Sequence, residues 1–132
     1  MSRAIPKPTK ISEPFWAACR AHALHLQQCS ACGHYLYFPV YMCPHCAGMA
    51  LEWKPVSGRG HIYSHSTITD PVSAAFPADG PVVVALIELE EGPVMMSNIV
   101  GDTADQARIG DPVRVAFRKV DDVITLPVFE RV

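Results

Sequence analysis

Four cysteines in two close pairs limit what this chain can fold into more than any other feature: Cys29-Ser-Ala-Cys32 and Cys43-Pro-His-Cys46, with ten residues between Cys32 and Cys43. A Cys-x-x-Cys segment can bend so that both sulfurs face one point, and two such knuckles facing each other form a tetrahedral thiolate cage suited to Zn²⁺. Gly33 directly follows the first pair and Gly48 lies two residues beyond the second. A knuckle turns sharply after its second cysteine, and glycine tolerates the positive φ such a turn needs. With Cys29, Cys32, Cys43 and Cys46 all as ligands the metal keeps no vacant position, so a single zinc per chain is expected to build the fold rather than perform chemistry.

The chain of 132 residues is within the range of one domain, and an apolar share of 49% supplies a core without any run long enough to span a membrane. The opening Met-Ser-Arg-Ala-Ile-Pro-Lys-Pro has no apolar run before a cleavage site, so no signal peptide is expected. A cytoplasmic location follows, where paired cysteines more often bind metal than form disulfides. The formal net charge of −2 argues against an electrostatic grip on nucleic acid. Lys54, Arg59, Arg114, Arg118 and Lys119 have two readings: solvated strand and turn residues, or a local patch for a phosphate-bearing ligand or acidic partner.

Residues 1–12 carry three Lys/Arg and two prolines without a hydrophobic period, the pattern of a mobile arm. Ser12-Glu13-Pro14 looks like a helix start, with Ser12 as cap, and a helix is expected over 14–22. Phe15, Trp16, Cys19 and Ala23 recur on one face, and the aromatic pair needs a surface, either this chain's own core or a partner protein. From Leu24 the period becomes two, with Leu24, Leu26 and Gln28 opposed to His25 and Gln27, which marks a strand entering the first knuckle. Tyr35–Tyr41 reads as a second strand, completing a zinc ribbon too small to stand without metal. Trp53–Gly60, punctuated by Pro55, Gly58 and Gly60, reads as a hinge.

Beyond the hinge the pattern is β throughout. Strands are expected over 61–69, 82–89, 94–100, 113–118 and 124–130, with a turn at Glu90-Glu-Gly-Pro93 and a short helix within 103–109. Val113, Val115 and Phe117 are expected to face inward. Five short strands with a small helix before the fourth suit a closed barrel of the OB type. The expected architecture is therefore mainly β: an arm (1–12), a helix plus zinc ribbon (13–54) and a five-stranded OB-fold domain (55–132).

No residue set reads as a catalytic centre. Cys19, the only cysteine outside the cage, falls on the helix's apolar stripe as an inert thiol. Ser57, Ser64, Ser66 and Ser73 lack a Gly-x-Ser-x-Gly context. His61 and His65, four apart on a strand, should share a face but lie too far apart for a metal pair. Glu88, Glu90, Glu91 and Asp121-Asp122 look like exposed hairpin ends, and His34 and His45 are unneeded where four cysteines are present.

The order of these motifs carries a resemblance. A Phe15-Trp16 helix leads to Cys-Ser-Ala-Cys-Gly33 and Cys-Pro-His-Cys46 with Pro39 between them; Trp53, Ser57-Gly-Arg-Gly60, His61-Ile-Tyr-Ser64 and Ile109-Gly-Asp-Pro-Val113 follow. Over roughly residues 13–130 the chain resembles domain-of-unknown-function family 35, acyl-CoA-associated OB-fold proteins with an N-terminal rubredoxin-like zinc ribbon. The resemblance implies a non-catalytic accessory subunit in a hetero-oligomer with a thiolase-like protein, which supplies the catalytic residues. Acyl-CoA would lie at the shared interface. It gives Cys29, Cys32, Cys43 and Cys46 the zinc-ligand role and carries no catalytic residue over. In this reading the ribbon presents Tyr35, Tyr37 and Tyr41, with the Phe15–Trp16 helix, as a rigid apolar surface, and Lys54, Arg59, Arg114 and Arg118 are candidate contacts to CoA phosphates. The alternatives are a stand-alone acyl-CoA-binding protein and a nucleic-acid-binding OB/zinc-ribbon module.

Overall fold

A computed structural model describes residues 5–69 and 82–132; Ser73 and the first four residues of the N-terminal arm lie outside them. Residues 9–12 form a tight turn in which the Ser12 hydroxyl oxygen accepts from the Thr9 N–H at 2.8 Å. Ser12 therefore makes no side-chain cap to the helix that follows, contrary to the capping expectation, because its hydroxyl is already engaged within the turn. Helix α1 spans Glu13–Arg20, with proline in its first turn, and stops two residues short of the expected end. His22, at φ 59°, leaves helical space. Phe15, Ala18 and Cys19 are buried on one face. Arg20 reaches back to Glu13 at 2.7 Å and donates to the Val123 carbonyl at 2.9 Å, tying the helix to the far end of the chain.

The ribbon is a three-stranded antiparallel sheet in the order β2-β1-β3, with β1 at His25–Cys29, β2 at Tyr35–Leu36 and β3 at Leu51–Pro55. Two expectations are corrected here. The segment read as the start of a hinge is strand β3, paired with β1 along its whole length from Leu51↔Cys29 to Pro55↔His25. The strand expected over Tyr35–Tyr41 survives only at Tyr35–Leu36. Its cause is Gln27, which turns inward rather than outward and is 6% exposed. The Gln27 amide accepts from the Val40 N–H at 2.8 Å and donates to the Val40 carbonyl at 3.0 Å, so a side chain holds residues 37–40 where a backbone ladder would have run.

The barrel begins after a short link at 56–58. Its strands are β4 (Arg59–Ile68), β5 (Val82–Leu89), β6 (Val94–Val100), β7 (Pro112–Lys119) and β8 (Thr125–Arg131). They close in the order β4-β5-β6-β8-β7, with β6 and β8 parallel and the other pairs antiparallel. A single 3-10 turn, Ala104–Gln106, is the short helix expected within 103–109. This is the expected five-stranded OB-type barrel. Where β4 crosses β5, the chains approach so closely that a Cβ on Gly60 would run into the Glu88 carbonyl oxygen, which is why glycine stands there.

Ribbon, helix and barrel share one core. Leu24 and Leu26 from the ribbon and Phe15 and Cys19 from α1 lie in the same buried cluster as Ile62, Ile87, Met95 and Phe129 from the barrel. Each fully buried aliphatic or aromatic side chain of this kind contributes about 1.5–3 kcal/mol. The link is fixed by main-chain bonds from Val56 to Leu24 (2.9 Å) and from Val115 to Gly58 (2.7 Å), and by the Glu91 carboxylate accepting from the Ser57 N–H at 2.8 Å.

Candidate metal centre and apolar surface

The two knuckles repeat one local design. Gly33 N–H donates to the Cys29 carbonyl at 2.7 Å, and Ala47 N–H donates to the Cys43 carbonyl at 2.8 Å. Each turn then needs a left-handed residue: Gly33 at φ +82° in the first and Ala47 at φ +61° in the second. The second position is a correction, since Gly48 was expected to take it. Gly48 instead packs its α-carbon beside the cage, where a Cβ would sit 3.2 Å from the Cys46 sulfur.

The four sulfurs converge. Cys29 Sγ lies 3.6 Å from Cys46 Sγ and Cys32 Sγ lies 3.6 Å from Cys43 Sγ, and all four are within 4.8 Å of one another. A tetrahedron built on zinc–sulfur bonds of about 2.3 Å has edges of about 3.8 Å, so this donor set could hold one zinc ion. Its electrostatics point the same way. Backbone N–H groups, that of Cys32 foremost, outweigh desolvation and lower the Cys29 thiol to about 7. At Cys46 the Gly48 N–H favours the thiolate, but the sulfurs of Cys29 and Cys32 outweigh it and push the thiol up to about 12. At Cys46 crowding by neighbouring sulfurs opposes ionisation, and a divalent cation would remove that conflict by displacing the proton. N–H groups of His45 and Gly48 point at the sulfurs of Cys43 and Cys46 at 3.4 Å each, supporting negative charge there. His34 and His45 stack at 4.0 Å beside the cage, and His34 Nδ1 is 3.2 Å from Cys32 Sγ.

The apolar surface of the ribbon is not the one expected. Phe15 belongs to the core, with Trp16 edge-on at 5.0 Å and Tyr37 edge-on at 6.4 Å from it. Tyr35, Tyr37 and Trp16 are half-buried against the same core, and only Tyr41 of that set is exposed. On the ribbon the exposed large apolar side chains are Phe38 (75%), Tyr41 (70%), Met42 (53%) and Met49 (73%), all flanking the second knuckle. Their signal was present as an apolar run, Phe38-Pro-Val-Tyr-Met42, in a ribbon too small to bury it.

The candidate cations are each placed beside an acid or in solvent. Lys54 pairs with Glu52 at 3.2 Å, Arg59 with Glu90 at 3.2 Å, and Arg114 with Glu130 at 3.8 Å. Arg59 and Arg114 sit directly opposite each other across β4 and β7, and Arg118 lies four residues further along β7, exposed. Lys54 is apart from them, on β3 of the ribbon.

Other polar candidates have structural partners. Glu91 holds the link, and Asp121 Oδ1 accepts from the N–H groups of Val123 and Ile124 at 2.8 and 2.7 Å. His61 pairs with Glu88 at 3.0 Å. A bulge between Ile62 and Ser64 shifts the β4–β5 register, so His61 sits opposite Glu88 and His65 opposite Ala85. The two histidines therefore take opposite faces, a correction to the shared face expected from their spacing. Cys19 is fully buried, and desolvation, only partly opposed by the Arg20 charge, pushes its thiol up to about 12. Asp111 receives the Arg108 N–H and the Arg131 guanidinium, each at 2.9 Å, and these hold its carboxyl below the usual range. Among the described residues no helix is long and apolar enough to cross a membrane.

Comparison with known proteins agrees with this geometry. Residues 16–52 match the family model for the ChsH2 rubredoxin-like zinc ribbon domain, and residues 53–118 match that for the ChsH2 C-terminal OB-fold domain. A DUF35 domain-containing scaffold protein of Methanothermobacter thermautotrophicus is 40% identical over 94 residues, covering 70% of each chain. A probable enoyl-CoA hydratase alpha subunit of Thermomonospora curvata is 37% identical over 116 residues, covering 87% of this chain. This chain spans only 36% of that relative's length. A solved structure described as an Ltp2-ChsH2(DUF35) aldolase superposes with a TM-score of 0.83 at 33% identity, covering 96% of this chain and 98% of that one.

Proposed function

The chain belongs to the ChsH2 (DUF35) family of zinc-ribbon, OB-fold proteins, and from that premise we propose that it is a non-catalytic accessory subunit of a thiolase-type enzyme acting on acyl-CoA substrates. The observation that carries this reading is the end-to-end likeness to the ChsH2(DUF35) chain of an aldolase, joined to an exposed apolar surface on the ribbon. In this reading the active site belongs to the partner, and the work takes place in the cytoplasm.

The residues supply a mechanism. Zinc held by Cys29, Cys32, Cys43 and Cys46 would cross-link the two knuckles and fix the loop between them. Phe38, Tyr41, Met42 and Met49 then stand on a rigid base, so burying them against a partner costs little main-chain entropy. The core shared by ribbon and barrel carries that rigidity to the barrel, where Arg59 and Arg114 face each other across β4 and β7, each beside a glutamate, and Arg118 lies further along β7. These three arginines, with Lys54 on the ribbon, are proposed to exchange their present surroundings for the phosphates of the partner's CoA ester.

The test is co-purification of the untagged native protein, with mass spectrometry of what accompanies it and zinc analysis. The reading expects a thiolase-like protein at fixed stoichiometry with one zinc per copy of this chain. A chain that emerges alone, and that binds an acyl-CoA tightly by itself, would establish the stand-alone acyl-CoA-binding alternative instead.

A further inference from the structure

The ribbon has an open strand edge facing a cleft. Strand β2 is the outer strand of the sheet, and its pairing with β1 settles which way its amides point. Cys29 N–H donates to the His34 carbonyl at 3.0 Å, so His34 and Leu36 face β1 and Tyr35 between them faces away. Among the described residues neither the Tyr35 nor the Tyr37 main chain has a hydrogen-bond partner. The Gln27 amide, by occupying Val40, detaches residues 37–40 from the sheet and keeps this edge short.

Beside the edge lies a cleft of about 580 Å³ between the first knuckle and the β5–β6 turn. Its walls include Tyr35, Tyr37 and Phe38 on the ribbon side and Glu91 and Val94 on the barrel side. Glu91 is its one carboxylate, and neither Lys nor Arg lines it. Open main-chain donors and acceptors, aromatic walls and a single carboxylate beside the thiolate cage describe a receptor for an extended polypeptide with apolar side chains and a basic residue.

We propose that an extended segment of the partner enzyme adds as a short fourth strand to the ribbon, pairing with the free edge of β2 at Tyr35, continuing to the open main chain of Tyr37 just beyond it, and setting a basic side chain toward Glu91. The proposal rests on the accessory-subunit reading and names how the partner is held. Backbone pairing gives the segment its register, Phe38 covers its apolar face, and the β5–β6 turn forms the opposite wall.

Amide hydrogen exchange tests it, on the full zinc-loaded chain alone and in complex with the thiolase-like protein identified by co-purification. The Tyr35 and Tyr37 amides should exchange freely in the isolated chain and slow at least tenfold in the complex. Val94→Arg, which places bulk and positive charge in the cleft, should weaken the complex at least tenfold while leaving zinc content and the circular dichroism spectrum unchanged. A complex in which both amides exchange at the free rate overturns the strand proposal and leaves the accessory reading standing. Protection that rises with the concentration of the chain alone overturns it in favour of a second copy on the same edge. Absence of any complex removes the accessory reading itself, and the strand proposal with it.

Discussion

Replacing Gln27 with leucine should destabilise the protein by about 2 kcal/mol, although the change puts an apolar residue at a buried position. Gln27 is 6% exposed, and its amide serves both main-chain groups of Val40. Leucine removes both bonds and strands a donor and an acceptor on a half-buried segment, at about 1–3 kcal/mol each. Added apolar burial returns about 2 kcal/mol, which leaves a net loss of about 2 kcal/mol. For a chain of this size that corresponds to a fall in Tm of roughly 8 °C. Urea denaturation of the zinc-loaded protein measures it. Gln28→Leu is the control: Gln28 makes one exposed bond, to the Gly33 carbonyl at 3.2 Å, and its loss should change stability by no more than about 0.5 kcal/mol. If the Gln27 variant proves as harmless as the control, the amide is not what holds residues 37–40 and the explanation for the shortness of β2 fails.

Ala47 occupies left-handed space at φ +61°, which costs an L-residue roughly 1–2 kcal/mol, so Ala47→Gly should raise stability by about 0.5–1 kcal/mol after the added chain entropy is counted, as thermal melts would show. Gly60→Ala forces a Cβ against the Glu88 carbonyl and should cost about 3 kcal/mol; an unchanged denaturation midpoint would contradict the close approach of β4 to β5. Because the folded Cys19 thiol is raised from 9.0 to about 12, its contribution is intact below pH 9 and is lost as pH rises toward 12. Cys19 should therefore resist iodoacetamide at pH 8 in the native protein, and wild type should lose stability above pH 9 relative to Cys19→Ala. The opposite sign applies to Asp111, whose carboxyl is held down by the Arg108 N–H and Arg131: stability present at neutral pH is lost as pH falls below 3.8, and Asp111→Asn should flatten that acid limb of the pH–stability curve.

The cage and the barrel were legible in the sequence because their signals are local. Cys-x-x-Cys spacing states its own chemistry, the continuous apolar run Val82–Leu89 has the length of a buried strand, and the alternation through Val113–Phe117 states its own period. What escaped was set by contacts between segments. Leu51-Glu-Trp-Lys-Pro55 was hidden as a strand by its proline, which is tolerable because β3 lies at the sheet edge. Gln27 reads as a solvent-facing residue until Val40 is seen to need both halves of its amide. The bulge between Ile62 and Ser64 has no glycine to announce it, yet it sends His61 and His65 to opposite faces. Ala47 rather than Gly48 carries the positive φ, because the knuckle fixes which residue must turn and leaves its type to tolerance.

A metal site in a ribbon of this size could be an appendage whose loss leaves the barrel untouched, but the packing argues otherwise. Cys29 is the last residue of β1, and the same five-residue strand places Leu26 at 0% exposure in the common core. Releasing the cage would free the end of β1, and with it the strand's hold on both β2 and β3. Leu24 and Leu26 could then loosen only by opening the cluster that also holds Ile62 and Phe129 of the barrel. The Glu91–Ser57 bond and the Val56–Leu24 bond span the same joint, so ribbon and barrel lack a soft hinge at which to part. Metal occupancy at the four thiols is thus coupled through β1 to the whole chain. A surface presented at Phe38, Tyr41 and Met42 would rest on a ribbon packed into the barrel's own core.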